Sequence, residues 1–410
     1  MEASYSPLND AASTLDGMAL TDADHRYMKA ALRLSRRGLG QTWPNPSVGA
    51  LVVTGGYTGH PVILGGGTTA DAGRPHAERI ALDDALTSGG AEAPAPDVLR
   101  GSTVYVTLEP CCHYGRTPPC TDALIDAGVA RVVTAMADPD HRVSGRGHGL
   151  LREAGVEVKS GILQIEAEAL HLGHITRVQT GKPFVTLKIA LSADGFIADA
   201  HKRPVAISGQ AAMAQVHLLR AEYDAILIGV GTAIADDPQL TVRLPGMASR
   251  SPTRIVLDTQ LRLPLESRLA QGAGDAPLWV VTAAHDVAQI NALQNRGIEI
   301  IQVDSEPDGR LSLDAVLLKL GNRGVTRLLI EGGVGISDAL LKTRIPDQVV
   351  LAQSETVTIG EGVAPRLVPD LQSNGLDGAY VVGWETAWGS DKATVYRPGG
   401  SAFSSQAGIL

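Results

Sequence analysis

Pro75-His-Ala-Glu-Arg-Ile-Ala-Leu82 and, 33 residues beyond Glu78, Cys111 within the run Pro110-Cys-Cys-His-Tyr-Gly-Arg-Thr-Pro-Pro-Cys120 are the stretches from which the fold of this chain is read. Between them they offer one imidazole (His76), two thiolates (Cys111 and Cys120) and a carboxylate (Glu78). A zinc ion with three protein ligands keeps a fourth position for water and lowers the pKa of that water to about 7, so hydroxide becomes available at neutral pH. Thiolate and neutral imidazole suit the metal, whereas a glutamate two residues from the histidine stays off it and carries protons. In zinc deaminases such a glutamate protonates the ring nitrogen as hydroxide attacks the amine-bearing carbon, then helps ammonia leave. His76, Cys111 and Cys120 are therefore the expected Zn2+ ligands, and Glu78 the expected proton shuttle.

Local patterning agrees with that placement. Proline suits a first helical turn, so Pro75 with apolar Ile80 and Leu82 behind it predicts a helix start at the histidine. Thr103-Val-Tyr-Val-Thr-Leu108 alternates as a strand does and delivers Cys111 at its end. Pro118-Pro119-Cys120 opens a short helix through Thr121 to a closing Gly128. A ligand at a helix start gains from the positive end of the dipole, which favours thiolate over thiol. The plainer alternative is three inert core cysteines, where free cysteine usually sits. Against it, the three fall within ten residues of each other and the first follows a proline at a strand end. A structural zinc staple is the other alternative, and Glu78 beside the ligand argues against it. Cys112 and His113 are decoys that fit the motif less well.

Nucleic-acid and free-nucleoside deaminases of this type commonly carry Cys-x-x-Cys, whereas eight residues separate Cys111 from Cys120. Glu109-Pro-Cys-Cys-His-Tyr-Gly-Arg-Thr-Pro-Pro-Cys120, with Pro44-Asn-Pro-Ser-Val-Gly49 upstream and Asp138-Pro139 and Gly145-Arg-Gly147 downstream, resembles the deaminase half of a bifunctional riboflavin-biosynthesis family. In that family a diaminohydroxyphosphoribosylaminopyrimidine deaminase is joined to a 5-amino-6-(5-phosphoribosylamino)uracil reductase. The resemblance implies an α/β protein with an N-terminal cytidine-deaminase-like αβα domain on a mixed sheet and a C-terminal dihydrofolate-reductase-like α/β domain. It also implies phosphoribosylated pyrimidine substrates, NADPH as hydride donor, and a homodimer or higher homo-oligomer.

Composition sets the outer limits. At 410 residues the chain exceeds one ordinary core, and with 44% hydrophobic residues it can bury two. A net charge of -9 and a pI near 5.7 oppose a nucleic-acid surface. Three cysteines, an odd and sparse number, point to a reducing cytoplasm rather than a disulfide framework. No apolar run reaches the roughly eighteen residues of a membrane span, and the first twenty residues lack a secretory pattern. The expected division is a loose extension over 1–20, a deaminase domain over 21–165, a connecting helix and linker over 166–182, a reductase domain over 183–400 and a tail over 401–410. A helix begins near Tyr27, and residues 89–96 form a loop rich in Gly, Ala and Pro. A helix over Gln164 to Gln179 ends at Thr180-Gly-Lys-Pro183, and a new strand starts at Phe184.

The second half has its own signals. Leu187-Lys-Ile-Ala-Leu-Ser-Ala-Asp-Gly195 resembles the opening strand and turn of the pyrimidine reductase. Ala225-Ile-Leu-Ile-Gly-Val-Gly-Thr232 reads as a buried strand entering a glycine turn, and Arg327-Leu-Leu-Ile-Glu-Gly-Gly-Val-Gly335 as another, with a helix over Ile336 to Lys342. Glycines let backbone amides approach a phosphate. Alone this is a weak signal, because Pro238 interrupts what a Rossmann unit would need after Gly231, and tight turns explain it equally. The resemblance implies that Lys188, Arg220 and Arg243 hold the ribose phosphate, and arginine's fork suits phosphate oxygens. Ala190, Ala206, Thr232, Asp236 and the loop of Gly332, Gly333, Val334 and Gly335 would contact NADPH. Leu240 and Glu331 would line the reductase substrate site, and Asn45 would hydrogen-bond the deaminase substrate. For the lysine and arginines the plainer reading is solvated surface charge; for Asn45 and Asp236 it is turn formation.

Three positions depart from the family pattern. Ala206 stands before Ile207-Ser208 where a tryptophan is usual, removing a large apolar contact to the cofactor. Tyr223 replaces a frequent histidine, and Asp140-His141 replaces Asn-Pro after Asp138-Pro139. The alternatives are therefore a deaminase with a degenerate reductase half, or a nucleoside or tRNA-base deaminase. Acidity and the long cysteine spacer oppose the latter.

Overall fold

The computed structural model describes residues 20–54, 61–87, 97–115, 118–140, 143–201, 203 and 205–400. The expected extension as far as residue 19, the 89–96 loop, the 401–410 tail and the substituted His141 lie outside the described residues.

The first half is a five-stranded mixed sheet between helices. Its strands β1 (Gly49–Val53), β2 (Ile63–Thr68), β3 (Thr103–Val106), β4 (Arg131–Thr134) and β5 (Glu157–Ser160) lie in the order β2-β1-β3-β4-β5. The β1 strand is antiparallel to both neighbours, whereas β3, β4 and β5 run parallel. The helices are α1 (Asp22–Arg37), α2 (Ala77–Thr87), α3 (Cys120–Asp126), α4 (Arg146–Glu153) and α5 (Gln164–Thr180). The β4 strand is buried along its whole length, with Val132-Val133 held between buried Arg131 and Thr134.

Two features missed in the sequence hold this half together. Gly65 and Gly67 alternate on the face of β2 toward α2, and a Cβ on them would lie 2.5 Å from the Ala81 carbonyl and 2.4 Å from that of Ala77. The helix that begins beside His76 therefore sits directly on the strand backbone, an approach only glycine permits. On the other face, Thr21 and Asp24 form a capping box that starts α1. Asp24 also accepts from Arg131 Nη1 at 2.6 Å and from the Tyr105 hydroxyl at 2.7 Å, tying α1 to β4 and β3.

Burial alone would raise the Asp24 carboxyl, but hydrogen bonds from Arg131, the Thr21 backbone and Tyr105 outweigh it and hold it at about 2 against an ordinary 3.8. The folded value lies below the unfolded one. The stability it contributes is therefore full above about pH 4 and is lost as pH falls through about 2. Asp24→Asn is expected to lack this part. Urea unfolding should show a gap between wild type and variant that is widest near neutrality and narrows as pH falls through that window. A gap independent of pH would refute the assignment.

The second half is a nine-stranded sheet. In chain order the strands are β6 (Phe184–Leu191), β7 (Ala198–Asp199), β8 (Ala225–Gly229), β9 (Thr253–Leu257), β10 (Leu278–Thr282), β11 (Glu299–Gln302), β12 (Arg327–Glu331) and β13 (Gln348–Ser354), then β14 (Gly362–Val363), β15 (Tyr380–Trp388) and β16 (Asp391–Pro398). They are ordered β11-β10-β9-β8-β12-β6-β13-β16-β15, while β7 and β14 pair separately. The seven strands from β11 to β13 are parallel, and β16 and β15 close that end in antiparallel fashion. The helices are α6 (Gln210–Ala221), α7 (Val230–Asp236), α8 (Arg268–Gln271), α9 (Val287–Gln294), α10 (Leu313–Asn322), α11 (Val334–Thr343) and α12 (Val368–Gly378). Helix α5 leads from one sheet to the other, and its Arg177 donates to the carbonyls of Gly321 and Pro44 on either side. Arg36 pairs with Glu222 at 2.9 Å, and Trp43 meets Trp279 edge-on at 6.3 Å. No helix among the described residues is long and apolar enough to cross a membrane.

Two local expectations are corrected. No glycine turn follows β8: the strand passes straight into α7 at Val230, so Gly231 and Thr232 lie in the helix. Likewise the loop after β12 is only Gly332-Gly333, with Val334 and Gly335 already in the first turn of α11. The glycines misled here because a glycine that follows a buried strand suits a helix start as well as a turn.

Candidate functional site

Helices α2 and α3 begin at one end of the first sheet, beside the segment that leaves β3. His76 immediately precedes α2, Cys120 opens α3, and Cys111 lies at the end of the β3 segment. Their ligand atoms all lie within 4.8 Å of one another. His76 Nδ1 is 3.3 Å from Cys120 Sγ and 3.5 Å from Cys111 Sγ. The Cys120 backbone N–H donates to Cys111 Sγ at 3.3 Å, and that of Thr121 to the Cys111 carbonyl at 3.2 Å. The start of α3 thus presents donors to a sulfur, which favours its thiolate.

The electrostatics follow. Cys111 falls to about 4, chiefly through hydrogen bonding from Cys120, with His76 and the Cys120 amide adding to it against the cost of burial. Contact with Cys111, then burial, pushes Cys120 far up. His76 is raised, first by its hydrogen bond to Cys111. Glu78 is 4% exposed, and burial, reinforced by the Cys111 charge, pushes its carboxyl up to about 7. Two sulfurs and an imidazole nitrogen, mutually close with one sulfur poised to ionise, form a donor set that fits zinc. Cys112 and His113 do not join the cluster.

Asn45 is placed beside this site through the chain: its amide donates to the Gly73 carbonyl at 2.8 Å, three residues ahead of His76. It also closes its own turn, since its N–H donates to the Thr42 carbonyl.

The reductase candidates converge in part. Lys188 and Glu331 are register partners on β6 and β12. Arg220 reaches Glu331 from α6 through two hydrogen bonds, at 2.7 and 3.0 Å, and its third nitrogen donates to the Thr241 carbonyl at 3.3 Å. Burial would raise Glu331, but the charge and fork of Arg220, helped by Lys188, hold it at about 2. Lys188 is buried and shifted down by that burial, so neither it nor Arg220 is a solvated surface charge. Arg243 is exposed, and its N–H meets His217 Nδ1 at 3.4 Å. Leu240 is buried with a φ of 56°. Thr232 lies beside the Gly332-Gly333 turn, its hydroxyl 3.0 Å from where a Gly333 Cβ would be. These meet where β8 and β12, parallel neighbours, pass into α7 and α11; such an edge with a bare glycine backbone suits a dinucleotide phosphate. Ala190 is half-buried on β6, whereas Ala206 and Asp236 are exposed. Tyr223 is buried and shares a hydrogen bond with Thr186 at 2.5 Å.

Glu109 stands in the same motif two residues ahead of Cys111, and the sequence alone assigns it no role. The available signal was a carboxylate between an apolar strand and a proline, where a solvated residue is out of place.

Comparison with known proteins gives consistent findings. A family profile described as cytidine and deoxycytidylate deaminase zinc-binding region matches residues 21–136, and the RibD C-terminal domain profile matches residues 183–386. The riboflavin biosynthesis protein RibD of Actinobacillus pleuropneumoniae is 38% identical over 353 residues, covering 84% of this chain and 89% of that protein. The structure of Acinetobacter baumannii RibD superposes with a TM-score of 0.77 at 33% identity, over 92% of this chain and 98% of that one. A diaminohydroxyphosphoribosylaminopyrimidine deaminase/5-amino-6-(5-phosphoribosylamino)uracil reductase from Thermotoga maritima does so with a TM-score of 0.76 at 33% identity, over the same shares.

Proposed function

Since this chain belongs to the RibD family of riboflavin biosynthesis proteins, we propose that its two sheets carry two separate sites acting in turn on one phosphoribosylated pyrimidine. It is a bifunctional enzyme, a zinc-binding deaminase followed by a reductase that calls for a nicotinamide cofactor. The observation that carries the detailed reading is the meeting of His76, Cys111 and Cys120 beside buried Glu78.

In the first step the amine at the 2-position of the diaminopyrimidinone is exchanged for oxygen. His76, Cys111 and Cys120 would hold the zinc, which supplies Lewis acidity that brings the pKa of a water to about 7. Glu78, whose carboxyl is held above its ordinary range by burial, would take a proton from the attacking water and pass it to the ring nitrogen. Once the carbon–oxygen bond has formed, Glu78 would take the second proton from the added hydroxyl and pass it to the amine, so that the carbon–oxygen double bond closes as the carbon–nitrogen bond breaks and ammonia departs. Asn45 holds the chain ahead of His76 and would orient the substrate.

The second step reduces the ribosyl group to ribityl, with NADPH supplying the hydride. Lys188 and Arg243 would meet the ribose phosphate, with Arg220 contributing the two N–H groups left by Glu331 and Thr241. Glu331 and Leu240 would line the substrate side. Ala190, Ala206, Thr232, Asp236, Gly332, Gly333, Val334 and Gly335 would line the cofactor side. We keep 21–165 and 183–400 as the domain limits, and a homodimer or larger homo-oligomer as the assembly. The cysteines, all free, support a reducing, cytoplasmic setting.

The test is a two-substrate assay. With the phosphoribosylated diaminopyrimidine alone, ammonia is expected without any change in NADPH; with NADPH added, its absorbance should fall after ammonia appears. A zinc chelator should stop ammonia release yet spare NADPH oxidation on supplied uracil product. Ammonia release that persists in demonstrably metal-free protein would overturn the first site. An intact deaminase that never oxidises NADPH or NADH on the uracil would favour the degenerate-reductase alternative, to which exposed Ala206 lends its weight.

A further inference from the structure

Glu109 leaves β3 two residues ahead of Cys111, and its side chain is fully buried. A carboxylate leaves water at low cost only where donors replace its hydration. Three backbone N–H groups do so: those of Asp138 at 3.1 Å and Gly145 at 2.9 Å donate to Oε2, and that of His148 at 3.2 Å donates to Oε1. All three belong to the stretches 138–140, which follows β4, and 143–148, which runs into α4. Two glycines let these stretches close in. Gly145 has a φ of 78°, and a Cβ on Gly147 would lie 2.3 Å from the Pro110 carbonyl. The first turn of α4 therefore rests on the peptide that leads into Cys111. Because β3 and β4 are parallel neighbours, Cys111 and these stretches leave the sheet at the same edge, where crevices of α/β sheets form.

From this geometry we infer that Glu109 is a positioning residue for the deamination, clamping residues 138–140 and 143–148 to the chain that carries Cys111 and so setting a wall of the substrate crevice. The inference rests on the deaminase reading above. It also gives Gly145-Arg-Gly147 a physical reason: one glycine makes the turn and the other admits the close contact.

Two variants loosen the clamp in different ways. Glu109→Gln turns one acceptor oxygen into an amide that faces N–H donors, while Gly147→Ala keeps the carboxylate but pushes α4 off Pro110. Both are expected to raise KM for the diaminopyrimidine about 10- to 100-fold, the size of effect a small displacement of a substrate-positioning wall produces, with kcat little changed. Zinc content and NADPH oxidation on supplied uracil should stay at wild-type levels. Unchanged KM in a folded variant would overturn the inference, as would loss of zinc in step with activity or a fall in kcat alone. The last two would mean that Glu109 acts only through Cys111. Should Glu109→Gln misfold, Gly147→Ala decides by the same measures. Absence of ammonia from wild type would instead refute the deaminase reading itself.

Discussion

Glu78→Gln is expected to bind zinc at wild-type stoichiometry and to release ammonia on the order of 10²- to 10⁴-fold more slowly, the range that positioned acid–base groups supply. The amide keeps the size and hydrogen-bonding capacity of the carboxyl but can neither take a proton from water nor return it to nitrogen. Glu78 sits in the first turn of α2 and is 4% exposed, so no solvent group can substitute for it. Glu78 is not among the three residues whose ligand atoms cluster, so the donor set that would hold the metal is unchanged. NADPH oxidation on supplied uracil should be unaffected, because Glu331 and Lys188 belong to the other sheet. A folded Glu78→Gln protein that lost both activities together would contradict separate sites. One that still released ammonia at the wild-type rate would remove Glu78 from the mechanism.

The metal cluster was legible in the sequence because each of its residues is tied to a local signal. His76 and Cys120 stand at helix starts marked by prolines, and Cys111 follows a strand marked by alternation. The mixed sheet was legible for the same reason, with strands and helices of ordinary length and conventional breaks such as Gly181 after α5. What the sequence did not disclose depends on registers between distant strands. Arg220 and Glu331 stand 111 positions apart, and nothing in either neighbourhood marks them as partners. Their meeting follows from α6 packing across a sheet in which β12 lies between β8 and β6. Glu109 is the intermediate case: its own surroundings advertised a buried charge, but its three donors come from residues 29 to 39 positions away. The α7 and α11 junctions failed differently, since glycine next to buried strand reads equally as turn or as helix start.

Arg220→Ala is expected to destabilise the reductase half by about 3 kcal/mol, the low end of the range for breaking a buried pair, because Lys188 still faces the stranded carboxylate. For a domain of this size that corresponds to a fall of about 6–12 °C in Tm, measurable by calorimetry on the full chain. The sign with pH can be stated. In the wild type Glu331 is held at about 2, so the pair's contribution is full above about pH 4 and is lost as pH falls through 2. Without Arg220, burial dominates and pushes the carboxyl up, so the variant's deficit should be largest near neutrality and narrow as acid protonates Glu331. The paired change Arg220→Met with Glu331→Leu separates stability from function. Apolar groups of similar volume remove the stranded carboxylate, and Lys188, left without that partner and already pushed down by burial, can shed its proton, so much of the lost Tm should return while reduction of the uracil is lost. If the double variant were as unstable as Arg220→Ala, the cost would lie in packing and not in the unpaired charge. If it still reduced the uracil at the wild-type rate, neither residue would touch the second substrate.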